Sequence, residues 1–403
     1  MSKSLFLQIF KNIPSTKPSM KQKGVADLLR KKIQDKKLPQ IDIIFNQKDL
    51  LEFEKLAKDI SVYKKVLVLG VGGSSLGGKA LTALKFQNKL EFLESIDPST
   101  IKNSFDNLDI KNTFFLVISK SGQTIETICQ TLILIDLLKK IKVKNFAKQF
   151  LFVTESKDNP IAKIALEIGA KIAHHPKEIG GRFSCFSIVG MLPALICGLD
   201  LKKIRNGAKK VVQEFIDGDD KILNSCNMQL ELYDKGFKSN VIMPYIDDLK
   251  NFTDWYRQLW AESLGKNGFG SVPINSMGTI DQHSQLQLYL EGPKDKFFTF
   301  IVAKKTKNDF LVKDLKGVKT LFGGKKLSEI VKVEQDTTIE VLNRKKLPIR
   351  IFEVEKLNEE VLGSLMAWMF LEVILIADLK NIDPFNQPAV ELRKDLAKKI
   401  LKK

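Results

Sequence analysis

The sequence predicts an α/β protein: two αβα sandwich domains with mainly parallel sheets, plus helical segments at the N- and C-terminal ends. Three observations carry this. Short, wholly apolar runs end in Gly/Ser loops and are followed by helical stretches, and the same rhythm restarts after a lysine-rich interval. The length of 403 residues, at about 150 per domain, suits two or three domains with cores of their own. Continuous apolar strands alternating with helices imply parallel sheets covered on both faces.

Residues 1–60 read as an amphipathic, helical N-terminal segment with Lys-rich turns and no chemical motif. The first sandwich is expected over 61–200, with strands at Val66-Leu67-Val68-Leu69, Phe114-Phe115-Leu116-Val117-Ile118 and Phe150-Leu151-Phe152-Val153. A helical connector spans 201–238. The second sandwich, 239–357, starts with Val241-Ile242-Met243-Pro244, continues through an amphipathic helix from near Asp248 to Leu264, and includes Phe297-Phe298-Thr299-Phe300-Ile301-Val302. Helices over 358–403 close the structure, with Pro388 suited to the first turn of the last one.

Composition excludes several classes. A hydrophobic fraction of 44% and a charged fraction of 28% are those of an ordinary globular chain. The net charge of +18 raises the question of nucleic acid. Lysines are scattered along the whole length, arginines are rare and no basic run is interleaved with aromatics, so a surface that attracts anionic metabolites is the better account. Cys129, Cys185, Cys197 and Cys226 form no CxxC pair and read as reduced, cytosolic thiols. Lys3 precedes only the short apolar patch Leu5 to Phe10, with no small-residue cleavage site, so a cytoplasmic location is expected. Val361 to Ala377 nears the length of a membrane span, but Glu372 interrupts it and Asp378 closes it. Spans need about 20 apolar residues, so a buried core helix is expected and no membrane partner.

Several loops carry chemistry. Gly70-Val71-Gly72-Gly73-Ser74-Ser75-Leu76-Gly77-Gly78-Lys79 follows a strand and opens a helix, where free backbone amides meet anions. The dinucleotide fingerprint fails because Ser75 takes its third glycine position. The P-loop pattern fits through Gly78-Lys79, but Ala80 stands where a magnesium-binding hydroxyl is needed. Ser119-Lys120-Ser121-Gly122-Gln123-Thr124-Ile125-Glu126 again joins strand to helix, and the hydroxyls of Ser119, Ser121 and Thr124 converge as a phosphate cradle. A capping box closed by Glu126 is the plain alternative. Arg182, in Gly180-Gly181-Arg182-Phe183-Ser184, is a guanidinium between small residues that stays charged while approaching a ligand, unless it is spent on a surface ion pair. Glu262 ends a helix beside Gly265, Gly268 and Gly270. His283 lies in Asp281-Gln282-His283-Ser284, the one motif-like setting for a histidine; His174 and His175 read as surface or strand-end residues. Lys394 follows Asp383-Pro384-Phe385-Asn386-Gln387-Pro388-Ala389-Val390-Glu391.

These motifs in this order resemble the glucose-6-phosphate isomerase (phosphoglucose isomerase) family over Gly70 to Gly77, Ser119 to Glu126, Gly180 to Pro193, Trp255 to Lys266, Gly278 to Gln285 and Phe385 to Lys394. The resemblance implies a pair of sugar-isomerase (SIS) domains and a homodimer whose active sites lie at the subunit boundary. It implies the metal-free, cofactor-free conversion of D-glucose 6-phosphate to D-fructose 6-phosphate, a step of glycolysis and gluconeogenesis, by ring opening and a cis-enediol. Glu262 matches the family's base between C1 and C2, and Arg182 the arginine that steadies the enediolate. His283, from the neighbouring subunit, and Lys394 match the ring-opening residues. Ser74, Ser119, Lys120, Ser121 and Thr124 match the phosphate-binding positions, and Gly73 and Gln387 further substrate-binding ones. Gln123 stands where a threonine is usual, Ala389 replaces a glycine, and the chain is short for the family. Two other readings are weighed: an isomerase that also accepts mannose 6-phosphate, and a non-catalytic SIS regulator, which has no need of Glu262, Arg182, His283 and Lys394 together.

Overall fold

The short apolar runs that end in Gly/Ser loops become strands buried on both faces. Thr113–Ile118 is the clearest, with all six residues buried. The computed structural model describes residues 5–13 and 17–401, so Lys3 and the last two of residues 358–403 lie outside the described residues. In chain order the elements begin with β1 (Phe6–Lys11), α1 (Met20–Gln34), α2 (Pro39–Asp42) and α3 (Lys48–Ile60). The first sheet is built from β2 (Lys65–Leu69), α4 (Leu76–Thr82), β3 (Leu90–Leu93), α5 (Pro98–Asp106), β4 (Thr113–Ile118), α6 (Ile125–Lys140), β5 (Phe150–Thr154), α7 (Pro160–Ile168) and β6 (Lys171–His174). Three helices follow: α8 (Ile188–Ile196), α9 (Leu201–Ile216) and α10 (Lys221–Asp234). The second sheet uses β7 (Ser239–Pro244), α11 (Lys250–Leu264), β8 (Val272–Asn275), α12 (Leu286–Glu291), β9 (Lys296–Lys305), α13 (Leu327–Arg344) and β10 (Ile349–Lys356). The chain ends with α14 (Glu359–Lys380) and α15 (Pro388–Leu401).

The strand order of the first sheet is β3-β2-β4-β5-β6, parallel throughout. The second, read from its far edge, is β8-β7-β9-β10-β1, with only the β1–β10 pair antiparallel. Over four strands the two halves thus repeat one order, in which the sequence of strands reverses beside β2 and beside β7; the fifth strand differs, β6 following the other four in the chain and β1 preceding them. In open α/β sheets the crevice outside the carboxyl ends at such a reversal is where ligands bind.

Residues 1–60 are not wholly helical, which corrects the sequence expectation. Phe6 to Lys11 form β1, because β10 offers an open edge whose backbone donors and acceptors need partners. Phe6 then fits its ring edge-on to Phe352 and Trp368, at centroid distances of 5.4 and 5.1 Å. The interval 201–238 is helical, yet α9 does more than connect. A Cβ added to Gly207 would stand 1.7 Å from the Glu360 carbonyl oxygen, and one on Gly363 1.9 Å from that of Ile204. These two glycines let the backbones of α9 and α14 touch. In consequence α14 lies within the core rather than closing one end, and the main apolar cluster runs from strands of both sheets through α8, α9, α11 and α14. By length and composition α14 could cross a membrane, but 94% of its most apolar window is buried inside the protein. Glu372, at its middle, is fully buried and pairs with the fully buried Arg350 at 2.8 Å.

The histidine pair departs from expectation. His174 ends β6 and is exposed, whereas His175 is buried, its amide bonded to the Thr154 carbonyl and Nδ1 2.9 Å from the Pro176 oxygen. The chain turns inward after β6, and that turn takes His175 off the surface. Burial pushes its pKa down to about 4.

Candidate active site

β2 and β4 are neighbours, Leu69 opposite Val117, so the loops that follow them leave the same end of the first sheet where its strand order reverses. After β2 the chain makes the tight turn Gly72–Ser74; Gly72 has φ +59°, which glycine adopts without strain. After β4, Ser119 is fully buried and its hydroxyl donates to that of Thr124 at 3.1 Å. Thr124 precedes α6 in extended conformation and makes no side-chain cap, so a capping box is not formed and the first-turn amides of α6 have no side-chain partner from it. Lys120 turns its ammonium toward Glu155, 3.7 Å away.

The Gly-Gly-Arg loop is pressed against the glycine loop. A Cβ on Gly73 would fall 2.4 Å from the Gly181 carbonyl carbon, and the Ser184 hydroxyl donates to the carbonyls of both Gly73 (3.1 Å) and Gly181 (2.7 Å). Arg182 is thereby held 3% exposed, which excludes the surface ion pair. Its Nε donates to Ser263 Oγ at 2.8 Å. One terminal nitrogen donates to Gln387 Oε1 at 2.8 Å and lies 3.3 Å from Glu262 Oε2. The other donates to the Asn386 carbonyl at 2.9 Å and to that of Pro384. Burial lowers the pKa of Arg182, and the Glu262 charge works against that shift. The planar fork is thus fixed from two segments, the end of α11 and the strap Pro384 to Gln387, which a flexible ammonium would not be.

Glu262 and Ser263 lie in the last turn of α11, and this turn supplies both the carboxylate facing Arg182 and the hydroxyl behind it. The other carboxylate oxygen of Glu262, Oε1, accepts from Gln258 one turn earlier at 3.0 Å. Gln258 in turn meets the glycine loop: a Cβ on Gly72 would be 3.0 Å from its Nε2, and its own Oε1 is buried without a hydrogen-bond partner. Lys266 donates to the Asp383 carbonyl, holding the strap that carries Gln387 over Arg182; burial first, and Arg182 second, lower its pKa.

The structure therefore brings together Gly73, Arg182, Glu262 and Gln387, beside the loop that carries Ser74. Ser119, Ser121 and Thr124 lie on the adjoining loop of the same sheet end. It does not bring His283 or Lys394 to them. His283 is exposed just after the turn Ile280–Gln282, and Lys394 pairs with Glu391 at 2.7 Å on α15. Ala389 is accommodated within α15, a helix with no buried residue that reaches the cradle through Lys398 Nζ, 3.0 Å from Gln123 Oε1. Sequence reasoning missed Gln258, Ser263 and the strap carbonyls. The spacing of four between Gln258 and Glu262 on one helix face was the available signal for the first; the carbonyls left none.

Among the described residues no group of three or more His, Cys, Asp or Glu side chains is placed to hold a metal ion. A cavity of 590 Å³ occupies the carboxyl end of the second sheet, lined by Tyr245, Asp248, Lys304 and Phe310 among others, and no residue named above for the site lines it.

Comparison with known proteins agrees with this architecture. The family model "Phosphoglucose isomerase" matches residues 55–403. The glucose-6-phosphate isomerase of Methanocaldococcus jannaschii is 33% identical over 353 residues, covering 86% of each chain. That of Campylobacter jejuni is 33% identical over 356 residues, covering 85% of this chain and 87% of its own. Among solved structures, a hypothetical protein from Thermus thermophilus superposes with a TM-score of 0.90 at 26% identity, over 98% of this chain and all of the other. The glucose-6-phosphate isomerase of Chlamydia trachomatis shares the fold, with a TM-score of 0.73 at 21% identity over 87% of this chain and 72% of its own. With its buried arginine facing a carboxylate in the last turn of α11, and with the family model matched from residue 55 onward, this chain belongs to the phosphoglucose isomerase family.

Proposed function

We propose that the protein interconverts D-glucose 6-phosphate and D-fructose 6-phosphate at the cleft between Arg182 and Glu262. The observation that carries this is their 3.3 Å pairing, with the guanidinium held by Ser263, Gln387 and two strap carbonyls. The phosphate is bound by the Ser119, Ser121 and Thr124 hydroxyls, the Lys120 amide and the first turn of α6, with Ser74 from the opposite loop; a helix start favours a dianion. Glu262 takes the proton from C2 of the open aldose while O1 gains one, giving the enediol. It then delivers a proton to C1 as O2 loses its own and C2–O2 becomes the carbonyl. A carboxylate ionised near neutral pH suits this transfer. Arg182, already oriented, stabilises negative charge growing on O1 and O2 without reorganising. A non-catalytic sugar-phosphate regulator would have no use for this pairing.

His283 and Lys394 act in ring opening, and His283 does so in the site of a second copy of the chain. Its exposure on one chain and its separation from Arg182 and Glu262 support a homodimer with shared sites. Four free thiols and a phosphorylated substrate of central metabolism fit a cytoplasmic location. The test is complementation. Glu262→Gln and His283→Ala proteins, each inactive with fructose 6-phosphate, are unfolded, mixed and refolded; recovery to roughly a quarter of wild-type activity is expected, since half the dimers are mixed and each holds one intact site. No recovery would place His283 in its own chain's site, and activity in Glu262→Gln alone would remove the proposed base.

A further inference from the structure

The near-match to a P-loop leaves Lys79 without a role in the reaction, and the structure shows where its charge goes. Lys79 Nζ lies 2.6 Å from Glu94 Oε2. The other oxygen of that carboxylate accepts the hydroxyl of Ser75, a fully buried residue that ends the glycine loop next to Ser74 and also donates to the Gly72 carbonyl at 3.1 Å. Glu94 directly follows β3, the edge strand beside β2. From the other side, the fully buried Gln130 of α6 donates to the carbonyls of Leu93 (3.2 Å) and Ser95 (2.9 Å), gripping the chain on both flanks of Glu94. Three consecutive residues thus tie the loop that carries Ser74 to the helix that opens the Ser119–Thr124 cradle.

We propose that Glu94 is a positioning residue for phosphate recognition: by holding Ser75 and Lys79 it sets the glycine loop at the distance from the cradle at which both loops reach one phosphate. This rests on the reading of the cradle given above. Two anion-binding loops on neighbouring strands cooperate only if their separation suits the ligand, and misplacement by about 1 Å is enough to lose most of the benefit. Lys79 has a second effect in the same cluster. It neutralises a carboxylate that would otherwise stand close to the phosphate, and the carboxylate keeps the ammonium from acting as a competing anion site.

Glu94→Ala, Glu94→Gln, Lys79→Met and the control Thr124→Ala are compared by kcat, KM for fructose 6-phosphate, the inhibition constant of inorganic phosphate, and Tm. For Glu94→Ala, KM and the phosphate inhibition constant are expected to rise together by about tenfold while kcat stays within about twofold of wild type. Glu94→Gln keeps the shape and an acceptor for Ser75, so a smaller parallel rise is expected; it carries the same readout if the alanine variant fails to fold. A lower Tm with KM and phosphate inhibition unchanged would overturn the proposal and leave a plain structural ion pair. If Thr124→Ala weakens phosphate while both Glu94 variants do not, the cradle stands and only the positioning role falls. If Thr124→Ala also leaves phosphate binding unchanged, the cradle falls and this inference with it.

Discussion

Gly73 and Gly181 meet backbone to backbone: a Cβ on Gly73 would lie 2.4 Å from the Gly181 carbonyl carbon and 2.8 Å from the Arg182 nitrogen. The obstacle is main chain on both sides, so no rotamer change relieves it. Gly73→Ala is therefore expected to push the Arg182 loop away from the glycine loop. Because catalytic geometry tolerates little displacement, kcat/KM should fall by at least about a hundredfold while the protein still folds. Near-wild-type turnover in a folded Gly73→Ala protein would show that the close approach is incidental.

Ser263 touches the proposed site through Arg182, from whose Nε its hydroxyl accepts a hydrogen bond at 2.8 Å. Ser263→Ala leaves that buried N–H without its partner, and kcat is expected to drop roughly tenfold with KM changed far less. Glu262→Gln should abolish turnover yet keep phosphate-ester binding, measured by inhibition with inorganic phosphate. Equal loss of binding and turnover in Glu262→Gln would count against its role as the base.

His175 predicts an acid sensitivity that belongs to the fold and not to catalysis. Its folded pKa is about 4, against about 6.5 in an unfolded chain. Between those values the unfolded chain binds more protons, so stability is full above about pH 6.5 and is lost as pH falls through the folded value, by up to about 3 kcal/mol. Denaturation at pH 7 and at pH 4 should show this difference in wild type and a smaller one in His175→Gln. Identical differences in the two proteins would refute it.

Arg350 and Glu372 form a fully buried pair at 2.8 Å, and the Glu372 carboxylate also accepts from Ser225, Gln229 and Trp368. Removing one partner strands the other charge in the core, so Glu372→Leu alone should lower stability by about 3–5 kcal/mol. Arg350→Met with Glu372→Leu should recover a large part of it. Urea denaturation of the single and double variants decides, and a double variant weaker than the single one would mean the pair does more than neutralise itself.

The legible parts of the fold were those with an unbroken local signature. Phe114 to Ile118 and Phe150 to Val153 are apolar at every position and became strands, and the loop glycines and serines that follow are punctuation a parallel sheet requires. β1 was not legible. Phe6 to Lys11 alternate only weakly, and what makes them a strand is the open edge of β10, which lies more than three hundred residues away in the chain. His175 was misread for a similar reason: nothing local distinguishes it from His174, and only the turn after β6 takes it inside.

The candidate site divides along the same line. By itself the sequence determined the residue types and their order, because a phosphate needs hydroxyls and amides at a helix start, and an enediolate needs a fixed cation beside a base. The tertiary structure alone decided how they are held. Gly73 against Gly181, Ser263 behind Arg182, and the carbonyls of Pro384 and Asn386 over it are contacts between segments far apart in the chain, made by backbone atoms or by a serine that has no motif value. Backbone carbonyls are the same in every residue, so their direction is set by packing and no reading of side chains could have placed them.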